Sequence, residues 1–562
     1  MTAYTPEEAL HIFESLIGPP QIGWEVLPSD NPLVNACTTY WGRPVEEDAR
    51  SWQQKELVAS CFAGADPTKD DDFCDGCYVM PFPPIDLTCE MTQYWIRAEY
   101  VNICNHLDAS YLTNAAHKSV VLTGQPGIGK TMSIHYMLRR RLGQKQPTVV
   151  MMAEKYSYLF CEAGVAKILP NYTSVPNGSE HCWLIVDSFA AETTFPTRLL
   201  DWPSLIVFVS PPTPTRWARL KSRGAGGPPA MVYMNSWSRR EIGQGACLNP
   251  ISDELNSDLL DARYKDYGPI PRICFFDEMD FGWHVHAILV ALDSLETCYR
   301  SLLTPTTIDT QASDVSYRIA LIHRTVSVDR CRPTRGLSSP PVLAIAPLTA
   351  YISRKMVLRL IEFEQKELTE LYQQLQCVPS ARLMLGPPFE AYMHQKFLRG
   401  CSVKIRSMVR LPDKPNTVPK PQWHTSHLAL ASAPLELCRK QSHSYEFDMP
   451  HSPFQVYSPD ESFIVLPGQY YIPSSSAEIG LHSFMLQEDR NGKFTLYIFQ
   501  FTVTESYDMN VRLPALLEHC QGIPRERNNW RFVLVADDSS LRTCRYREEL
   551  EDIPMYCTFF EM

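Results

Sequence analysis

The stretch Ser119–Leu142, SVVLTGQPGIGKTMSIHYMLRRRL, predicts a strand, a glycine-rich loop and a helix in unbroken succession. Three apolar residues near its start are typical of a buried parallel strand: Val120, Val121 and Leu122. The loop, GQPGIGKT, fits the pattern G-x-x-x-x-G-K-[S/T] without a mismatch. Apolar residues then recur at helical spacing until Gly143: Ile134, Met137, Leu138 and Leu142. This succession indicates a phosphate-binding loop.

Glycines recur in the loop because a backbone wraps a polyphosphate closely only where side chains do not block it. Backbone N–H groups then converge with the positive end of the helix dipole. Lys130 adds a full charge near the β and γ phosphates, and the Thr131 hydroxyl is placed to hold magnesium. The alternative is a chance glycine-rich turn, against which the flanking strand and helix argue. The predicted nucleotide-binding residues are Gly124, Gln125, Pro126, Gly127, Ile128, Gly129, Lys130 and Thr131.

A second nucleotide motif is predicted at Asp187, which follows the apolar strand Cys182–Val186. A carboxylate at the end of a parallel strand beside the loop is placed to hold the magnesium hydration shell. Any apolar strand ending in Asp imitates this motif, so its weight comes from the loop upstream. Many P-loop ATPases with an inserted strand carry a glutamate next, where this chain has Ser188, and Glu192 is the nearest substitute. Hydrolysis is therefore left open by the sequence, whereas binding is not.

Two further polar residues are candidates for the catalytic set, which is Lys130, Asp187, Ser210 and Arg272. Ser210 follows the strand Leu205–Val209 and is placed to sense the γ phosphate, or else caps the strand. Arg272 follows the rigid turn Tyr267–Pro271, from which it reaches the nucleotide or lies on the surface. A basic run contains an arginine finger or, as the favoured interpretation, a solvated helix face: Arg216, Arg219, Lys221 and Arg223.

The composition is that of a globular protein. A chain of 562 residues with 44% hydrophobic residues predicts two or three domains. A net charge of −11 provides no general attraction to nucleic acid. The 18 scattered cysteines favour reduced thiols, and Cys74 with Cys77 is expected to be a pair of loop cysteines, although half a zinc site is the alternative. Neither a signal peptide nor a membrane span is predicted, so we expect an intracellular protein of cytoplasm or nucleus.

The predicted fold class is α/β, with a parallel P-loop NTPase sheet and helices on both faces. Four regions are expected: an irregular extension at 1–92, the NTPase domain at 93–280, a helical region at 281–380 and a small α/β domain at 381–562. Helical periodicity is predicted from Tyr94 into the loop strand and from Leu348 to Cys377. The last region is predicted to contain two strands with a helix between them: Phe494–Thr504, Val511–Cys520 and Trp530–Ala536.

A family resemblance rests on an ordered set of motifs: IRAEY, GQPGIGKT, CWLIVDS, SPP, YMNSWSRREI and GPIPR. Together they resemble the Crinkler and retrotransposon-hot-spot type P-loop proteins of fungi and other eukaryotes. That family has R-x-x-Y before the loop, Asp-Ser after the third strand, and Met-Asn-Pro-Trp-Ser and Gly-x-Pro-Arg later. The match covers about residues 94–275, and Ser236 stands where the family has proline. The resemblance implies ATP in preference to GTP, with magnesium.

Some members of the family carry a C-terminal restriction-endonuclease-like domain. Glu390 in PPFEAYMHQKF matches its helical glutamate, and Gln500 and Thr502 match its last element. The expected aspartate is absent, because His482 stands in its place. Since magnesium prefers oxygen ligands, a degenerate nuclease is expected. The alternative is that these residues are an ordinary helix face and strand edge.

Two classes of function follow from these observations. The first is an NTPase that hydrolyses ATP, or GTP, to drive or switch action on a macromolecule, either a nucleic acid or a protein. The second is a binding-only module or inactive effector-like interaction protein, which Ser188 keeps open. A small-molecule kinase is a third interpretation, for which the sequence shows no acceptor site. The oligomeric state is not predicted.

Overall fold

The computed structural model describes residues 4–19, 23–48, 50–51, 78–83, 93–113, 119–152, 157–169, 181–188, 200–222, 229–246, 257–275, 278–303, 317–324, 343–410, 435–437, 444–449, 451, 454–458, 461–474, 481–503, 506–508, 519–537, 543–545 and 553–560. The chain divides into two compact units. The first comprises Met1–Ala287 and Thr304–Ala344, and the second comprises Ile288–Leu303 and Ile345–Met562. None of the helices described has both the length and the apolar character needed to cross a bilayer.

The first unit is built on an eight-stranded mixed sheet with the order β1-β8-β7-β6-β9-β10-β5-β11. The strands of this unit are β1 Trp24–Val26, β2 Arg50–Ser51, β3 Tyr78–Pro81, β4 Gln93–Ile96, β5 Ser119–Thr123, β6 Thr148–Met151, β7 Ser157–Cys161, β8 Gly164–Ile168, β9 Trp183–Asp187, β10 Ile206–Val209, β11 Ala230–Tyr233 and β12 Ala320–Arg324. The run β6-β9-β10-β5-β11 is parallel, and the remaining pairs of the sheet are antiparallel. The strand β10 therefore lies between the loop strand β5 and the Asp187 strand β9.

Helices cover both faces of this sheet. They are α1 Pro6–Ile17, α2 Pro32–Tyr40, α3 Val45–Asp48, α4 Ala98–Thr113, α5 Lys130–Gly143, α6 Arg239–Ala246, α7 Ser257–Tyr267 and α8 Pro271–Phe275, with a 3-10 helix at Pro214–Ser222. Val120 and Leu122 of β5 pack in one apolar cluster with residues of α4 and α5. Val121 points the other way and packs in a cluster with residues of α1 and the 3-10 helix. The alternation of side chains along β5 thus supports a sheet buried on both sides.

The two strands predicted after the loop, Cys182–Val186 and Leu205–Val209, are confirmed as β9 and β10, each within one residue of its predicted ends. The helical prediction from Tyr94 is wrong at its start, because Gln93–Ile96 is a strand that pairs antiparallel with β3. Its aromatic and β-branched residues are buried in that pairing, and the helix begins only at Ala98. Within 1–92, β1 adds to the edge of the main sheet beside β8.

The second unit combines helices with an 11-stranded sheet. Its helices are α9 Glu278–Asp293, in which the division between the units falls, α10 Leu295–Leu303, α11 Ala350–Leu360, α12 Gln365–Gln376 and α13 Gly386–Leu398, with 3-10 helices at Pro379–Leu385 and Arg527–Asn529. Its strands are β13 Leu343–Pro347, which begins in the first unit, β14 Cys401–Arg410, β15 Leu435–Leu437, β16 Ser444–Met449, β17 Phe454–Tyr457, β18 Phe463–Ile464, β19 Tyr470–Pro473, β20 Ser483–Glu488, β21 Phe494–Thr502, β22 Ser506–Asp508, β23 Cys520–Gln521, β24 Trp530–Asp537, β25 Thr543–Arg545 and β26 Met555–Phe560.

The predicted strands at Phe494 and Trp530 are confirmed as β21 and β24, a buried parallel pair. The amphipathic stretch from Leu348 forms two helices, α11 and α12, because a capping box at Glu364 and Glu367 starts a new helix. Residues 511–518 of the predicted helix lie outside the described residues. Helix α13 packs on β21, with the rings of Phe397 and Phe499 5.0 Å apart, and this contact places the helical glutamate Glu390 beside the sheet.

Candidate functional site

The phosphate-binding loop depends on glycine at three positions. Gly124, Gly127 and Gly129 have φ values of 148°, 82° and 90°, which other residues rarely adopt. A Cβ atom at Gly124 would lie 2.6 Å from the Met234 carbonyl oxygen, and one at Gly127 would lie 2.9 Å from Ile270 Cγ2. The loop is therefore enclosed by neighbouring chain on its outer side, as a cradle for a ligand on its inner side requires.

Neighbouring elements hold the loop through its carbonyl groups. The Tyr100 hydroxyl donates to Gly129 O at 2.9 Å, and the Trp237 indole N–H donates to Ile128 O at 2.8 Å. The backbone N–H of Arg272 donates to Gly127 O at 3.4 Å. These donors belong to the R-x-x-Y, Asn-Ser-Trp and Gly-x-x-x-Arg segments of the sequence, which the fold brings together around the loop.

A buried ion pair holds together the segments that surround the loop. Arg97, 2% exposed, donates through Nε to Glu241 at 2.8 Å and through its terminal nitrogens to the carbonyls of Asn235 and Ser236 at 3.0 and 2.9 Å. Glu241 also accepts from Ser238 N–H at 2.8 Å, and Ser238 Oγ accepts from Glu241 N–H at 3.1 Å. These reciprocal bonds form a capping box at the start of α6. The sequence motifs flagged Arg97 and Glu241, but their pairing required the fold.

Lys130 lies within the loop. Its Nζ donates to the carbonyls of Gly124 and Gln125 at 2.9 and 2.8 Å. Burial lowers the pKa of Lys130 to about 7; the charge of Arg272 acts in the same direction, and Asp187 opposes both. Lys130, Arg272 and Asp187 therefore lie close enough to influence one another, as their predicted roles require.

Thr131 and Asp187 meet beneath the loop, where Thr131 Oγ1 donates to Asp187 Oδ2 at 2.7 Å. Ser188 and Ser210, at the ends of the neighbouring strands β9 and β10, are 2% and 1% exposed. Neither hydroxyl has a hydrogen-bond partner among the described residues. These hard oxygen donors, with two buried hydroxyls left unsatisfied, fit a hydrated magnesium ion and its phosphate ligand.

The remaining predicted groups differ in position. Arg272 is the second residue of α8, and it is exposed. Arg216 is not simply solvated, because Nη1 donates to Ser188 O at 3.2 Å. Glu192, Arg223, the Lys221 side chain and the Cys74–Cys77 pair lie outside the described residues. Gln125 contributes its carbonyl group to the loop, but its side chain is buried and bonds to residues 317–322.

A second polar site lies in the second unit, at a cavity of about 320 Å³. It is lined by three of the predicted nuclease-like residues, Glu390, His482 and Thr502, and also by Arg354. Gln500 is buried on the same strand as Thr502 and does not line the cavity. The fold thus brings together most of the predicted set and adds an arginine that the sequence did not indicate.

Arg354 dominates the electrostatics of this second site. Its Nη1 lies 2.5 Å from Glu390 Oε1, with side chains 1% and 8% exposed. Burial alone raises the pKa of Glu390, but the charge of Arg354, together with smaller effects of His482 and His394, outweighs it, and the pKa lies well below its ordinary value. Burial lowers the pKa of His482 to about 4, so this imidazole is neutral at pH 7 and Arg354 is the charge that keeps Glu390 ionised.

Hydrogen bonds extend from Glu390 into the core. His394 Nε2 donates to Glu390 Oε1 at 3.3 Å, and His394 Nδ1 accepts from the Tyr470 hydroxyl at 2.9 Å. His482 Nδ1 accepts from Phe501 N–H at 3.2 Å and so is not free to bind a metal through that atom. In the part of the chain that the structure describes, no three His, Cys, Asp or Glu side chains are arranged as a metal site. This donor set does not fit magnesium.

Comparisons with known proteins find limited similarity. No protein-family model matches the sequence. The chain is 25% identical over 205 residues to Crinkler effector protein 16 of Phytophthora infestans, covering 35% of this chain and 30% of that protein. It is 26% identical over 191 residues to Crinkler effector protein 15 of the same organism, covering 33% and 28%. The chain therefore shows weak similarity to Phytophthora Crinkler effectors and spans less than a third of their length.

Among solved structures, the RuvB Holliday junction branch migration motor of Thermotoga maritima matches 56% of this chain and 89% of its own, with 14% identity and a TM-score of 0.21. A mutant form of the same protein matches the same shares of both chains, with 13% identity and a TM-score of 0.21.

Proposed function

We propose that the first unit binds a nucleoside triphosphate with magnesium, ATP in preference to GTP. The observation that carries this proposal is the hydrogen bond between Thr131 and Asp187 beneath a glycine loop that contains Lys130. Lys130 supplies charge to the phosphates, and Thr131 and Asp187 hold the magnesium and its water shell. Magnesium, when bound, neutralises phosphate charge. The position of β10 between β5 and β9 is the order expected of a P-loop protein with an inserted strand.

We further propose that the nucleotide is hydrolysed, so that the chain switches its action on a macromolecule. Ser210 lies at the end of the inserted strand and Arg272 beside Gly127, where each can contact the outer phosphate. The second candidate is a module that binds nucleotide without turnover. It is favoured by Ser188, a buried hydroxyl in the position where a carboxylate orients water in many related enzymes.

Phosphate release by the purified chain distinguishes these candidates. If the chain hydrolyses ATP, Asp187→Ala is expected to lower the rate by about 100-fold or more, because the magnesium shell loses its carboxylate. Asp201→Ala, which removes an exposed carboxylate from the same unit, is the matched control and should leave the rate unchanged. Stabilisation by ATP without any phosphate release would instead establish the binding module.

The weak similarity to Crinkler effectors supports placing the chain among Crinkler-like proteins with a P-loop domain. On this basis, the partner in the cell is a macromolecule, either a nucleic acid or a protein. The net charge of −11 favours a protein partner, unless the fold presents a local basic surface.

For the second unit we propose a degenerate nuclease-like domain. Plasmid DNA should remain uncut with magnesium or manganese, because Arg354 neutralises Glu390 and His482 replaces a carboxylate. The measurement compares the parent with Glu390→Gln, which keeps the shape of the side chain. Robust cleavage by the parent that disappears in Glu390→Gln would contradict this proposal and indicate an active nuclease.

A further inference from the structure

Residues 317–322 form a segment, called the strap below, that is attached to the phosphate-binding loop through Gln125. The fully buried Gln125 amide donates to Tyr317 O at 2.5 Å and to Ala320 O at 3.0 Å. Its oxygen accepts from Ile322 N–H at 3.3 Å. Both amide hydrogens are used, so this side chain holds the strap and is not available to a ligand.

The strap has a second anchor beside the end of β10. The Tyr317 hydroxyl donates to Pro212 O at 2.6 Å, two residues after Ser210. A single short segment therefore connects the loop with the strand end that is placed to sense the γ phosphate. Buried Ile319 and Ala320 fix the strap between these anchors.

Arg318 projects from the strap into a row of basic groups. Its guanidinium lies 5.7 Å from the centroid of the Trp283 ring. His284 follows Trp283 in the chain. Burial lowers the pKa of His284 to about 4, and the charges of Arg318 and Arg272 act in the same direction. Arg272 in turn lies beside the loop that contains Lys130, because its backbone N–H donates to Gly127 O at 3.4 Å. The row therefore runs from Lys130 through Arg272 and His284 to Arg318.

Among the residues that the structure describes, acidic groups do not pair with the outer part of this row. Asp187 faces Lys130, but within the described ranges no carboxylate forms a salt bridge with Arg272 or Arg318. The positive charges of Arg272 and Arg318 both act on His284, and a polyanion bound beside the two guanidinium groups relieves the repulsion between them. A triphosphate on the loop has the charge and the extent for this purpose.

We propose that Arg318 is a further nucleotide-binding residue that donates to phosphate oxygens, and that Gln125 is the positioning residue that holds it there. The inference rests on the proposed nucleotide binding and extends the site beyond the NTPase boundary at residue 280. The proposal explains why all the side-chain hydrogen bonds of Gln125, a residue of the loop motif, go to a segment 192 residues later in the chain.

Calorimetric titration of the full chain with Mg-ATP tests the role of Arg318. Arg318→Ala should weaken binding by about tenfold or more, the loss expected for one charge-assisted hydrogen bond. Arg318→Lys keeps the charge and should recover most of the affinity. Lys265→Ala, which removes an exposed charge from the same unit, should bind like the parent. Thermal midpoints without nucleotide should agree, since Arg318 is partly exposed.

A double-mutant comparison tests the role of Gln125. Gln125→Leu should also weaken the binding of Mg-ATP. The double variant, Gln125→Leu with Arg318→Ala, should bind Mg-ATP as tightly as the single variant that has the lower affinity. Losses that multiply would overturn the positioning role. Parent-like binding by Arg318→Ala, with binding abolished in Lys130→Ala, would overturn the strap proposal alone. A parent that does not bind Mg-ATP would overturn the proposed function itself.

Discussion

Lys130→Ala is expected to abolish the stabilisation of this chain by Mg-ATP. At a nucleotide concentration about 100-fold above the dissociation constant, the parent gains about 2.7 kcal/mol from binding. Lys130 lies inside the loop, where its Nζ donates to the carbonyls of Gly124 and Gln125. The variant therefore loses the only side-chain charge that the loop itself contributes. Thermal unfolding with and without nucleotide measures the difference, and ATP stabilisation of the variant equal to that of the parent would refute nucleotide binding at this loop.

The same experiment carries a pH dependence. Burial lowers the pKa of Lys130 to about 7, so a large fraction of the amines is neutral at pH 7 to 8 before binding. Phosphate charge favours the protonated amine, and binding therefore takes up a proton. Affinity of the parent for Mg-ATP should fall as the pH rises from 7 to 9. Lys265→Ala, which removes an exposed amine, should show the same dependence of affinity on pH as the parent.

The sequence predicted the parts of the candidate site that are contiguous segments with a recognisable residue pattern. The glycine loop, the strand ending in Asp187 and the strand before Ser210 each have a local pattern, and the structure places all three at one sheet edge. Parallel strands bring their carboxyl ends together, so these predictions needed only the strand order. Tyr94–Ile96 shows the limit of this approach, because pairing with β3 overrides a helical periodicity.

Contacts between distant residues could not be predicted in this way. Gln125 fits the loop motif, yet its side chain belongs to a segment 192 residues later. Arg354 lies on a helix 36 residues before Glu390 and has no motif of its own, so its pairing with Glu390 follows only from the packing of α11 against α13. The burial of Glu390, which requires a charged partner, also emerges only from the fold.

Arg354→Met should destabilise the second unit by about 3–5 kcal/mol at pH 7, because it leaves the Glu390 charge buried and unpaired. Arg359→Met on the same helix is the matched control. Arg359 pairs with Asp293, but both side chains are about half exposed, so its loss should cost less than about 1 kcal/mol. Urea unfolding of the full chain, followed at the transition of this unit, compares the two.

The pH dependence identifies the charge responsible. In the parent, the pKa of Glu390 lies below its ordinary value of 4.5, so its ion pair stabilises the fold above that pH and loses this contribution as the pH falls below it. Without Arg354, burial dominates and raises the pKa of Glu390, which then takes up a proton. The difference in free energy of unfolding between the parent and Arg354→Met should therefore be smaller at pH 4 than at pH 7. At pH 7, adding Glu390→Gln to Arg354→Met should recover most of the lost free energy of unfolding. A gap that stays constant with pH would show that Arg354 acts through packing and not through charge.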